Sequence, residues 1–191
     1  NQCRLWSFKV APRGDGGYYE ARDVHLFQSG IASVDVDEGP DGRFYVADFG
    51  GTWTKGDAGS VFALWWPDGL QRPAVGEARA ILTGPDASTL PTDALLPLLG
   101  HADHRVRQRA QFALAARAGQ DPAVVVALAD LAATRSNLHA LWALRQIGAL
   151  ESLRSLLTHD SAEVRAQSAR ALGDLRDGQS VPALLVMLES E

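Results

Sequence analysis

The sequence predicts a small antiparallel β-sheet unit followed by an α-α solenoid. Residues 1–84 hold four of the five tryptophans and all three tyrosines, in short runs that alternate apolar and polar residues. The remainder is rich in Ala, Leu and Arg, and it repeats itself. "LGHADHRVRQRAQFALA" (99–115) aligns with "LTHDSAEVRAQSARALG" (157–173) at an offset of 58, and "ALWAL" (140–144) matches "AQFAL" (110–114) at an offset of 30. A period near 29 with two helices per unit is the mark of an α-solenoid.

The strand signals come first along the chain. "RLWSFKV" (4–10) alternates, and "YYEARDVHLF" (18–27) follows the Gly-Asp-Gly-Gly turn. "IASVDVD" (31–37) leads through Gly39-Pro40-Asp41-Gly42 into "RFYVADF" (43–49). "SVFALWW" (60–66) runs to a Pro-Asp-Gly turn at 67–69. Five or six strands of this kind are too few for a closed propeller of four-stranded blades. "GPDASTLP" (84–91) is made of turn formers. The predicted division is therefore a β unit over 1–84, a linker over 85–91 and a solenoid over 92–191.

Helix pairs are predicted at about 92–118, 121–147 and 149–175, with a further helix from about 180. Asp121-Pro122 supplies an N-cap followed by proline at the first helical position. Asp160 and Glu163 have capping-box spacing. Gly119, Gly148 and Gly178 stand where helices should stop. The last helix lacks a partner, so its apolar face is expected to be bare. Self-association through that face and through open strand edges near 4–10 follows.

Bulk composition excludes several functions. A net charge of −5 argues against general nucleic-acid binding, which needs a basic face. No apolar run reaches the length of a membrane span. The single cysteine, Cys3, allows no internal disulfide, no Cys-based zinc cage and no Cys-x-x-Cys-His haem attachment. The chain begins with Asn, which suggests a processed or internal piece of a longer protein.

The units containing "HRVRQRAQFAL" and "AEVRAQSARAL" resemble the short HEAT-like repeats of the bilin-lyase type. "VDVDEGPDGRFYVADFGG…TKGDAGSVFAL" is similar to a blade of the sugar-dehydrogenase-like and NHL-like propellers. The order of the two, with "LHALWALRQIG" in the second repeat, resembles a planctomycete-type family of membrane-bound dehydrogenases. These join a propeller to HEAT repeats and a c-type cytochrome domain. That resemblance implies an internal fragment, with the first two strands in one blade-like unit and the next three in another. It also implies a periplasmic or extracytoplasmic location, and an oxidising enzyme acting on sugars or alcohols as the origin of the fragment. Most of the propeller and the whole cytochrome are missing from the chain.

The residues that could carry chemistry each have a plainer alternative. Asp35, Asp37, Asp41 and Asp48 could hold calcium or orient a substrate on a propeller axis; alternatively Asp41 makes the turn and the others end strands in solvent. "HADH" (101–104) has metal-ligand residue types. Yet His101 recurs as His159 at the repeat offset, which favours a structural role. The Gly-Asp-Gly-Gly turn at 14–17 has no following helix, so it is no phosphate cradle. Trp53, in the glycine-rich loop 50–59, either anchors a partner or folds back over the sheet.

The function expected from these residues is a non-catalytic interaction or scaffold module with a protein partner. Its binding surface is Trp53 together with a groove lined by Arg107, Gln111, His139, Trp142 and Arg165. The dehydrogenase fragment is the alternative. No catalytic, metal or cofactor site is predicted in this chain.

Overall fold

The computed structural model describes residues 4–13, 19–50 and 59–190. Cys3, the glycines of the 14–17 turn and Trp53 lie outside them. The chain divides into two compact units, Asn1–Gly76 and Glu77–Glu191.

In the first unit β1 (Arg4–Pro12) and β2 (Tyr19–Ser29) form an antiparallel ribbon, with register shifts between Leu5 and Trp6 and between Ser7 and Lys9. β3 (Ser33–Glu38), β4 (Phe44–Asp48) and β5 (Ser60–Leu64) form a three-stranded antiparallel sheet with β4 in the centre. The Gly-Pro-Asp-Gly signal makes the β3–β4 turn. Gly39 N–H donates to the Arg43 carbonyl at 2.8 Å, and Gly42 N–H donates to the Gly39 carbonyl at 3.1 Å. Asp41 fastens the turn by accepting from Arg43 N–H at 3.2 Å and from the Tyr45 hydroxyl at 3.0 Å. Among the described residues of this unit, Val46 is the only buried hydrophobic side chain. Two sheets this narrow cannot cover both faces of every strand.

The sequence predicts only a turn at 67–69. The chain instead forms a helical turn, α1 (Pro67–Leu70), and then an unanticipated helix, α2 (Pro73–Thr83). Pro67 and Pro73 each occupy the opening position, where a missing N–H costs nothing. Ala74, Ala78 and Ile81 then recur at helical spacing rather than alternating. The segment expected as a linker is packed as well. A 3-10 turn at Ala87–Thr89 is capped by Asp86, which accepts from Ser88 N–H, and Ala87 is buried. Arg117 holds the segment by donating to the Ser88 and Leu90 carbonyls at 2.9 and 2.6 Å and to Thr92 Oγ1 at 2.9 Å.

Three helix pairs follow: α3 (Thr92–Leu98) with α4 (His104–Ala118), α5 (Pro122–Arg135) with α6 (Leu138–Gln146), and α7 (Leu150–Ser155) with α8 (Ala162–Asp174). Then comes α9 (Val181–Ser190). The pairs share one core containing Leu95, Leu114, Leu128, Leu141, Leu144 and Leu172. On α9, Leu184 and Met187 pack against that core while Val181, Leu185 and Leu188 face out, Leu188 at 81% exposure. Among the described residues, the face of α9 that carries Val181, Leu185 and Leu188 is exposed.

The caps explain the helix starts, with one correction. Asp103, Asp121 and Asn137 accept from backbone N–H groups of the first turns of α4, α5 and α6. α8 is capped by Ser161, not by Asp160. The Asp160 carbonyl is taken by Arg165, and Glu163 accepts instead from Gln167 one turn along.

The helix stops bring a second correction. α6 ends on Gly148 at φ +71°, where Gly148 N–H donates to the Arg145 carbonyl and Ala149 N–H to the Leu144 carbonyl. That pair of bonds is the Schellman motif. α8 ends with the same pair, Arg176 N–H to Gly173 and Asp177 N–H to Leu172, so the left-handed residue is Arg176 at φ +54° rather than Gly178. Gly178 opens the 3-10 turn leading into α9. A left-handed conformation costs a non-glycine residue about 1–2 kcal/mol. Arg176→Gly is therefore expected to stabilise the helical unit by about 1 kcal/mol, read as a higher urea midpoint at unchanged slope. A lower midpoint would show that the arginine side chain contributes more than its backbone conformation costs.

Candidate functional site

The second helix of each pair presents one face to a groove of about 810 Å³. α4 contributes Gln108, Gln111 and Phe112; α6 contributes His139, Trp142, Arg145 and Gln146; α8 contributes Gln167, Arg170 and Asp174. The repeat offsets of 30 and 28 generate this surface. Phe112, Trp142 and Arg170 stand at one equivalent position, and Arg109, His139 and Gln167 at another. These positions are three apart on each helix, so they share a face.

Polar bonds across neighbouring helices fix the groove floor. His139 Nδ1 donates to Gln111 Oε1 at 2.9 Å, because the amide oxygen can only accept. Burial, with Arg107 and His104 nearby, lowers the His139 pKa and favours the neutral ring. Its ring meets Trp142 edge-on at 4.9 Å between centroids. Trp142 Nε1 donates to Gln167 Oε1 at 3.1 Å, and Gln167 Nε2 donates to Glu163 at 3.0 Å. Arg145 pairs with Asp174 at 3.0 Å. α6 is thus stitched to α4 on one side and to α8 on the other.

Of the predicted surface, the groove brings together Gln111, His139 and Trp142. Arg107 and Arg165 are not among its lining residues. Arg107 Nη1 donates to the carbonyls of His101 and Ala102 at 2.6 and 2.9 Å. Arg165 Nη1 does the same to His159 and Asp160 at 2.9 and 3.0 Å. Both guanidiniums clamp the turn that precedes their helix. Sequence reasoning missed Gln108, Phe112, Arg145, Gln146, Gln167, Arg170 and Asp174. Stepping three and seven residues along each second helix from Arg109, His139 and Gln167 would have found four of them.

The histidines of the repeat turns also have structural partners. His101 Nδ1 accepts from Asp103 N–H at 3.0 Å, and His159 Nδ1 accepts from Ser161 N–H at 2.9 Å. His159 Nε2 donates to the Ala133 carbonyl at 2.7 Å, while His101 Nε2 lies 3.4 Å from Glu77. The hydrogen-bonded guanidinium of Arg105 holds the Asp103 carboxyl down at about 2, so that it caps α4 as a carboxylate. Asp35 and Asp37 sit exposed on β3, where each carboxylate accepts from the next residue's N–H. Asp48 ends β4 opposite Ser33 and Ser60. Among the described residues no three His, Cys, Asp or Glu side chains gather closely enough to hold a metal ion. None of the described helices is long and apolar enough to cross a membrane.

Comparison with known proteins bears on the helical half. The family described as PBS lyase HEAT-like repeat matches residues 164–190, which run from within α8 to the end of α9. No curated protein and no solved structure matches the chain. The HEAT-like character of these repeats is thus supported independently of the period, whereas the resemblance to a propeller-bearing dehydrogenase finds no support.

Proposed function

We propose that the helical unit is a HEAT-like interaction module whose groove between α4, α6 and α8 receives a protein partner. The observation that carries this reading is the row Phe112–Trp142–Arg170 along the groove, with Phe112 49% exposed. A large aromatic ring left half in water costs free energy that burial against a partner recovers, at about 25 cal/mol per Å² of apolar surface. The bonds that fix His139, Trp142 and Gln167 before any partner arrives reduce the ordering cost of association. A surface made by three successive repeats suits an extended chain rather than a small molecule.

The test uses a photo-crosslinking benzoylphenylalanine placed at Phe112 or at Val126, a 70% exposed residue of α5 that does not line the groove. In cells expressing the full chain, discrete higher-mass adducts are expected from position 112 and not from 126. Equal adducts at both positions, or adducts at 126 alone, would move the partner off the groove.

A further inference from the structure

We infer that the groove is built for an extended peptide carrying an acidic residue two or three positions from a large apolar one. This rests on the groove being the interaction surface and specifies what it takes.

The argument starts from which groove side chains are already engaged. Gln111, His139, Trp142, Arg145, Gln167 and Asp174 all have side-chain partners. Gln108, Gln146 and Arg170 make no side-chain hydrogen bond or ion pair among the described residues. The two arginines of the groove therefore differ. Arg145 is neutralised by Asp174, whereas Arg170 offers an uncompensated guanidinium whose planar fork matches a carboxylate.

Position adds the spacing. Phe112, Trp142 and Arg170 occupy equivalent places on three successive helices, so they lie about one helix spacing apart, roughly 8–10 Å each. An extended chain advances about 3.3–3.6 Å per residue. A carboxylate at Arg170 and an apolar side chain over Trp142 are then two or three residues apart. A second apolar side chain over Phe112 falls a similar distance further on. The free amides of Gln108 and Gln146 carry both donor and acceptor, as the peptide group does, and can bond a backbone without reading its side chains.

A nucleic acid fits less well. Its backbone calls for several uncompensated cations along the track. Here one guanidinium is free among the groove residues, Asp174 lies in the groove, and the chain's net charge is −5.

The experiment is selection of a phage-displayed random dodecapeptide library on the full chain, followed by anisotropy titration of the best labelled peptide. The expected enrichment is Asp or Glu two or three positions from Phe, Tyr, Leu, Ile or Met. Arg170→Gln should weaken the selected peptide about three- to fivefold, the range of an exposed ion pair. Changing the peptide acid to its amide should cost the same, with no further loss in the Arg170→Gln protein. Phe112→Ser, an exposed position, should weaken both forms of the peptide while helical circular dichroism stays unchanged.

Selected peptides without acid enrichment, or binding indifferent to Arg170→Gln, would overturn the acidic-peptide assignment and leave the groove reading standing. A library that yields nothing above background would overturn it too. Peptides whose binding ignores both Arg170→Gln and Phe112→Ser would place the surface elsewhere and overturn both readings. A single-stranded oligonucleotide that binds, and loses binding with Arg170→Gln, would replace the peptide by a nucleic acid.

Discussion

Leu114→Ala and Leu172→Ala are each expected to destabilise the helical unit by roughly 2–5 kcal/mol. Both side chains are fully buried, one on α4 and one on α8, and both belong to the single core that runs through the helix pairs. Truncation removes transfer free energy and leaves a cavity that rigid helix packing refills poorly. Far-ultraviolet ellipticity followed through urea unfolding reads the effect, because the long helices lie in this unit. The two residues stand 58 apart at equivalent repeat positions. Similar losses at both would confirm the register, and a loss below about 1 kcal/mol at both would refute it. Phe112→Ala, two residues from Leu114 on the exposed side of α4, should cost far less.

The helical half was legible because two signals agree there. Apolar residues recur at helical spacing, and the pattern returns at offsets of 30 and 28. The pairs at 92–118, 121–147 and 149–175 follow from it. The ends were harder to read, since caps depend on which polar group is left over. Asp160 has the residue type and spacing of a capping residue, but the Arg165 clamp engages its carbonyl and the cap falls to Ser161. Arg176 has no left-handed signature in its residue type. It takes that conformation because the Schellman bonds to Leu172 and Gly173 require it.

The groove was half legible for a related reason. His139 and Trp142 stand out in the sequence as unusual residues on a helix. Arg107 and Arg165 also stand out, by recurring, but recurrence marks a role repeated in the frame, here the clamping of turns. The residues that differ between repeats at an equivalent position are the ones that give a groove its chemistry. Phe112, Trp142 and Arg170 are such a set. In the β unit, alternation located the strands, yet Trp6, Phe8 and Val10 remain about half exposed. Periodicity identifies an apolar face without saying what covers it. The helix α2 carries a weak signal because Gly76 interrupts it and its neighbours belong to a β-rich composition.

Gly42→Ala is expected to destabilise the first unit. Gly42 sits at φ +78° in the turn between β3 and β4, a conformation that costs alanine about 1–2 kcal/mol. An added Cβ would also lie 2.5 Å from Val75 Cγ1 and 3.2 Å from Leu70 Cδ2, close enough to force the valine to move. Together the two effects amount to roughly 1–3 kcal/mol, a large share for a unit whose described residues include one buried hydrophobic side chain. Tryptophan emission is a suitable probe, since Trp6, Trp65 and Trp66 lie in this unit and Trp142 in the other. Gly42→Ala should bring the emission transition to lower urea and leave the helical ellipticity transition in place. The two causes separate in a double-mutant cycle. Val75→Ala removes the clashing methyl, so the double variant Gly42→Ala/Val75→Ala should recover the contact part of the loss and keep the conformational part. Gly42→Asn, which tolerates positive φ, should show the reverse. If Gly42→Ala leaves the emission midpoint unchanged, the turn is not held in the left-handed conformation, and the Gly-Pro-Asp-Gly signal would set the strand connection by some other geometry.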